Sequence, residues 1–352
     1  MEMIPLSTPR RLRALLSATC IATCFSPFFS STLSATVSAS LVLAAGAARA
    51  QGAATDPAAF VPRSAVRSPF AERSMILDAT RAGTRLVAVG ERGVVLLSDD
   101  EGAHWRQAGT VPVDATLTAV SFADARQGWA VGHLGVILHS ADGGETWSVQ
   151  RIDPIEDRPL FAVAFTDARN GVAVGLWSLM LRTRDGGRTW EEAELPPPPG
   201  DTRADANLMS VFGDAQGRLF IAGERGLVLR SLDGGDSWSY HPTGYRGTFW
   251  SGTALADGTL IVGGLRGSVY RSTDGAGSWQ RVDTGSQSSV TDLIAFDGRV
   301  HAVGLDGVSL DSRDGGASFE LARRADRLSL TAAVATANGG VVRFSRAGLV
   351  RD

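Results

Sequence analysis

The chain has 352 residues, 44% of them hydrophobic, with 34 basic positions against 37 acidic ones and a net charge of −3. That mildly acidic balance excludes a protein that works by wrapping a polyanion, because nucleic-acid binding draws on an excess of basic charge. Every basic position is arginine, and the only two cysteines, Cys20 and Cys24, lie near the amino terminus, which leaves the rest without a disulfide framework or a cysteine metal site.

Residues 1–50 differ in character from the remainder of the chain. Arg10, Arg11 and Arg13 are succeeded by a long Ala, Ser, Leu, Phe and Val stretch that ends in LVLAAGAARA, with Ala48-Arg49-Ala50 as a small-x-small cleavage site. This reads as a secretory signal peptide cut before Gln51. It is longer than usual, which points to a start codon downstream of Met1. A retained membrane anchor is the alternative, and the serines and Pro27 that break the apolar run argue against it. Without residues 1–50 the net charge is about −6. Residues 51–69 form an amino-terminal segment, and residues 70–352 a single repeat domain.

From residue 70 onward one phrase recurs six times: SDDEGAHW at 98–105, SADGGETW at 140–147, TRDGGRTW at 183–190, SLDGGDSW at 231–238, STDGAGSW at 272–279 and SRDGGASF at 312–319. Its aspartates, Asp100, Asp142, Asp185, Asp233, Asp274 and Asp314, are 40 to 48 residues apart. A period of that size marks one supersecondary unit copied along the chain. Within residues 117–150, Leu117 to Phe122 alternates as a strand does, ADARQG is turn chemistry, GWAVG is a second strand, Val136 to Ser140 a third, and Trp147 opens a fourth. Four short strands per forty residues is the blade signature of a β-propeller. The phrase itself has a folding role: the Asp accepts amides of its own turn, the glycines reach positive φ, and the Trp packs between blades. Ala276, in the fifth copy, stands at a glycine position and predicts a distorted turn there.

A second recurring element, the hairpin between strands two and three, counts the blades. It reads GERG at 90–93, GHLG at 132–135, GLWS at 175–178, GERG at 223–226, GLRG at 264–267, GLDG at 304–307 and, degenerate, SRAG at 345–348. The fold class is therefore all-β, a seven-bladed propeller of four-stranded antiparallel blades. The seventh unit lacks its Asp phrase and fourth strand, and an unpaired edge is a liability, so residues 58–67 are expected to close the last blade as its outer strand. The insertion LPPPPGDTRADAN, 195–207, is an extended loop, expected on the same rim as the hairpins.

The hairpin tips nominate a partner-binding rim. Arg92, His133, Trp177, Arg225, Arg266 and Arg346 come from six different blades, and Tyr245, Arg246 and Trp250 from the stretch read as the loop entering blade five. Arginine offers a planar fork for carboxylates, and Trp with Arg is the composition of binding hot spots. His104, His133, His139, His241 and His301 show no metal-ligand spacing. No metal, cofactor or catalytic residue is expected.

The phrases VGHLGVILHSADGGETW and AGERGLVLRSLDGGDSW, repeated over roughly residues 58–352, resemble the photosystem II stability/assembly factor family of propellers. That resemblance implies a non-catalytic, exported, monomeric factor that binds a membrane protein or assembly intermediate at the membrane surface. Its location would be periplasmic, or the thylakoid lumen in a phototroph. The rival class is a sialidase-like glycoside hydrolase or a carbohydrate-binding propeller, which also carries Asp phrases. A hydrolase needs paired carboxylates or a Tyr nucleophile at the pocket. The hairpins supply no such pair, and Tyr270 falls at a packing position beside an Asp phrase.

Overall fold

A computed structural model describes residues 62–351. Residues 1–61, with the leader expected there and part of the expected closing strand, lie outside the described residues. Seven antiparallel sheets succeed one another along the chain, six with four strands and the seventh with three. Their inner strands are Ile76–Ala82, Leu117–Phe122, Leu160–Phe165, Leu208–Gly213, Phe249–Ala254, Val290–Phe296 and Leu330–Ala335. Each packs on the inner strand of the next blade, and the first packs on the last, so the sheets form a closed ring. Apolar packing of Ala332, Val334 and Phe344 against blade one seals that junction, with polar and ring contacts beside it. Thr331 Oγ1 donates to the Ile76 carbonyl, Arg81 Nη1 donates to the Ala335 carbonyl at 3.1 Å, the Ala337 amide donates to Glu101 Oε2 at 2.7 Å, and Trp105 meets Phe344 edge-on at 5.3 Å.

The strands reflect their burial. Second strands such as Gly128–Gly132 and Gly171–Gly175 are buried at every residue, which is why they read as unbroken apolar runs. Outer strands are short and more exposed, fully so at Glu191–Glu192. The Asp phrases bridge third and fourth strands on one face. The hairpins between second and third strands lie on the opposite face, with the loops between blades.

Every inner strand carries the same irregularity. Ile76 pairs with Gly90 and Asp78 with Val89, so Leu77 is skipped. The same shift skips Thr118, Phe161, Met209, Trp250, Thr291 and Thr331 in the other blades. A bulge leaves its extra residue outside the ladder and re-aims the side chain.

Among the described residues blade seven has three strands, as the missing Asp phrase implies. The expected closing strand is corrected in its described part. Residues 62–67 form no strand and bond to blade one instead: the Ala65 amide donates to the Val111 carbonyl, and Gln107 Nε2 donates to the Val66 carbonyl, each at 3.0 Å. Pro62 and Pro69 have no amide to give a ladder, and the Gln107 side chain takes the Ser68 amide at 3.0 Å. Residues 58–61 lie outside the described residues. The Ala276 turn is not distorted: its amide still reaches Ser272 Oγ at 3.0 Å, with the alanine held at φ 74°. The cost is about 1 kcal/mol of left-handed strain.

Candidate binding rim and central channel

The six recurring aspartates are structurally committed. Asp142 shows the pattern. Its Oδ1 accepts the Thr146 amide at 2.9 Å and the Ser140 hydroxyl at 2.8 Å, its Oδ2 accepts the Thr146 hydroxyl at 2.6 Å, and Ser140 Oγ accepts the Gly144 amide at 2.9 Å. The other five close the same way, with His104 replacing the hydroxyl beside Asp100. The amide and side chain four residues on hold the Asp100 and Asp185 carboxyls down at about 2, and the Ser278 hydroxyl and amide do the same for Asp274. With both oxygens occupied, on the face opposite the hairpins, these carboxylates fix turns.

On the hairpin face, six tips adopt one backbone shape. Arg92, Leu134, Trp177, Arg225, Arg266 and Asp306 all sit at φ 53–59°, each followed by a second residue at positive φ. Two consecutive left-handed residues make a type I′ turn, whose preferred first residue is Asn, Asp or Gly. Arg, Leu and Trp there each cost about 1 kcal/mol. Side chains retained against that strain are candidates for function.

The expected rim residues do not form one uniform surface. Arg92, His133, Arg266 and Arg346 are exposed at the tips of blades one, two, five and seven. Trp177 is 63% exposed at the tip of blade three, its amide held by Asn207 Oδ1 at 3.0 Å. Arg225 is committed: it pairs with Asp201 at 3.3 Å and Asp205 at 2.8 Å, both in the 195–207 insertion, and those carboxylates raise its already high pKa. It therefore pins the proline loop to blade four, with help from Tyr240, whose hydroxyl donates to the Pro196 carbonyl at 2.8 Å. Tyr245 is packed, its ring 5.0 Å from Phe249 and its hydroxyl donating to the Leu265 carbonyl at 3.0 Å. Trp250 is not in the loop entering blade five. It is the second residue of the inner strand Phe249–Ala254, at the bulge, and lines the central channel.

Two groupings emerge. One is a cavity of about 570 Å³ at blade five, lined by Tyr245, Tyr270, Arg246, Arg266 and Arg281 among others, with no carboxylate on its wall. Arg246 lines it from the loop beside Tyr245, and Arg281 is new to the site. Sequence pattern does not show Arg281 because it lies on an outer strand, outside the hairpin phrase.

The other is the central channel, a cavity of about 630 Å³ whose wall includes Asp78 and Asp292. Asp78 accepts the Ala79 and Val120 amides, each at 2.8 Å. Asp292 accepts the Leu293 amide at 2.8 Å and the Ala333 amide at 2.9 Å. Each carboxylate thus ties its blade to the next. Burial in the wall and the charge of Asp292 push Asp78 up to about 8, against the pull of the two amides. Burial also pushes Asp292 up, against its amides, Ser251 and the more distant His301. Among the described residues no group of three or more His, Cys, Asp or Glu is placed to hold a metal ion.

Residues 97–160 and 150–294, more than half of the chain, match the family described as photosynthesis system II assembly factor YCF48. The chain is 31% identical over 90 residues to the chloroplastic photosystem II stability/assembly factor HCF136 of Cyanidioschyzon merolae, covering 24% of this chain and 20% of that protein. It is 32% identical over 62 residues to the photosystem II assembly lipoprotein Ycf48 of a Synechococcus species, covering 17% of this chain and 19% of the relative. The match thus spans about a fifth of each curated relative's length. A solved structure described as YCF48 bound to D1 peptide superimposes with a TM-score of 0.64 at 19% identity, over 83% of this chain and 100% of that one. At that identity the likeness carries the fold.

Proposed function

The chain belongs to the photosynthesis system II assembly factor YCF48 family, and from that premise we propose that it is a non-catalytic binding factor for the assembly or stability of a membrane-protein complex. Support comes from the relatives, which are named as photosystem II assembly or stability factors, and from a family structure that is described as holding a D1 peptide. The client in this reading presents an acidic, extended segment to the arginine side of the hairpin face. The observation that carries it is the blade-five cavity, where Arg246, Arg266 and Arg281 face one space with no carboxylate on the wall. Arginines left without a local counter-ion gain most from a partner's carboxylates. Arg92 and Arg346 add exposed arginines at the tips of blades one and seven, with Asp306 at the blade-six tip between Arg346 and Arg266, while Arg225, already neutralised, serves as the clasp of the proline loop. The protein would work after export, at a membrane surface.

The test is a crosslinking pull-down from native membranes, comparing the wild-type protein with the triple variant Arg246→Ala, Arg266→Ala, Arg281→Ala. Capture of the client should fall at least tenfold while the melting temperature holds. Undiminished capture by the triple variant would remove this surface from consideration.

A further inference from the structure

We propose that the central channel is a binding site for an organic ammonium group, with Asp78 and Asp292 meeting its charge and Phe161, Met209 and Trp250 packing on its alkyl substituents. The inference concerns a different surface from the client-binding rim and does not depend on that reading.

Three observations converge on it. The first is that two carboxyl groups are more than their structural task needs. The position after the bulge is Asp in blades one and six, Ser in blades four and five, and Ala in the other three. In blade five, Ser251 Oγ accepts the Leu293 amide of the next blade at 3.1 Å, which is the bridging contact Asp78 and Asp292 make. A neutral hydroxyl suffices for the bridge, so the capacity of the two carboxyl groups for negative charge is surplus to it.

The second is that nothing on the wall neutralises them. Among the described residues, no arginine or histidine lines the cavity. Asp214, also on the wall, is held by Arg218 at 2.5 Å, and His301, behind Asp292, is hydrogen-bonded to Asp311 Oδ1 at 2.8 Å. With no cation on the wall, the charge of Asp292 helps keep the Asp78 proton in place, and an ammonium group in the channel would release that proton and pair with both carboxylates.

The third is the opposite arc of the same wall. In blades two, six and seven the bulge residue is threonine, and its hydroxyl donates to the first inner-strand carbonyl of the next blade. Blades three, four and five replace it with Phe161, Met209 and Trp250, giving up that bond for apolar and aromatic surface on the channel. Aromatic faces with nearby carboxylates select alkylammonium over both hydrated metal ions and neutral molecules.

Ammonium of this kind has two sources, a free amine or a lysine side chain presented by a polypeptide. Isothermal titration calorimetry on the full chain separates them. The probes are choline, its neutral isostere 3,3-dimethyl-1-butanol, and two short peptides that differ only by lysine against norleucine. At least one charged probe should bind roughly tenfold or more tightly than its neutral counterpart. Choline binding identifies a free amine, and binding of the lysine peptide alone identifies a side chain. Asp78→Ser and Asp292→Ser, which keep a bridging acceptor of the kind seen at Ser251, should each lower that affinity about tenfold, and Trp250→Leu should lower it without any change of charge. Equal binding of charged and neutral probes, or no binding of either charged probe, overturns the proposal and needs no variant to be read.

Discussion

The Asp-phrase face and the channel wall are both made from the same repeat, yet they treat their residues in opposite ways. On the Asp-phrase face six copies keep one chemistry: each aspartate has both oxygens filled from within its own turn. On the channel wall the equivalent positions diverge, from Thr118 and Thr291 to Phe161, Met209 and Trp250, and from Ala119 to Asp78 and Asp292. Uniform positions satisfy local demands that every blade shares. Divergent ones answer to something that breaks the sevenfold symmetry, and a bound partner does that.

The comparison is sharpened most by attacking the uniform side. Trp147 is buried between blades and its indole N–H donates to the Gly144 carbonyl at 2.9 Å. Trp147→Ala should cost about 3–5 kcal/mol in urea unfolding. Asp142→Ala removes the acceptor of three hydrogen bonds and should cost about 2 kcal/mol by the same measurement. If either change left stability untouched, the assignment of these phrases to folding would fail.

Titration separates the two regions by sign. Aspartates held near 2 in the folded chain, against an ordinary value of 3.8, contribute stability above about pH 4 that is lost as pH falls through 2. Asp78, pushed up to about 8, works the other way. The folded chain holds its proton more tightly than the unfolded chain, so its contribution is complete below pH 4 and declines as pH rises toward 8. The difference in thermal stability between wild type and Asp78→Ser should therefore slope between pH 4 and 8 and be flat below. A slope confined to the acid side would show that the channel carboxylate is an ordinary exposed one. The smallest expected effect is on the rim: Arg246→Ala and Arg281→Ala each change stability by about 0.5 kcal/mol or less, checked by the same unfolding curves.

Legibility in the sequence divides along the same line. The propeller is legible because the Asp phrase and the hairpin are local devices, written within eight and four consecutive residues, and because the seventh unit visibly lacks one of them. Residues whose meaning depends on distant partners are not legible. Arg225 looks like its counterparts Arg92 and Arg266 until Asp201 and Asp205 fold over it. Trp250 sits one residue inside a strand whose start the turn chemistry does not mark, and the bulge then aims it inward. Asp78 and Asp292 stay hidden because the recurring phrases lie in the hairpins and turns, away from the inner strands. Aligned with one another, the seven inner strands do expose them, as the two carboxylates at a position otherwise held by Ser or Ala. Residues 62–67 mislead because a missing strand invites the nearest unassigned residues, whereas Gln107 holds Val66 and Ser68 against blade one.

The most direct test of the division between folding and binding positions is one binding isotherm, fluorescence anisotropy of a labelled ten-residue polyglutamate peptide, run on three proteins at a temperature where all are folded. Wild type and Asp142→Ala should give superimposable curves, while the triple variant Arg246→Ala, Arg266→Ala, Arg281→Ala should lose affinity at least tenfold. Loss with Asp142→Ala and none with the arginine variant would contradict the account.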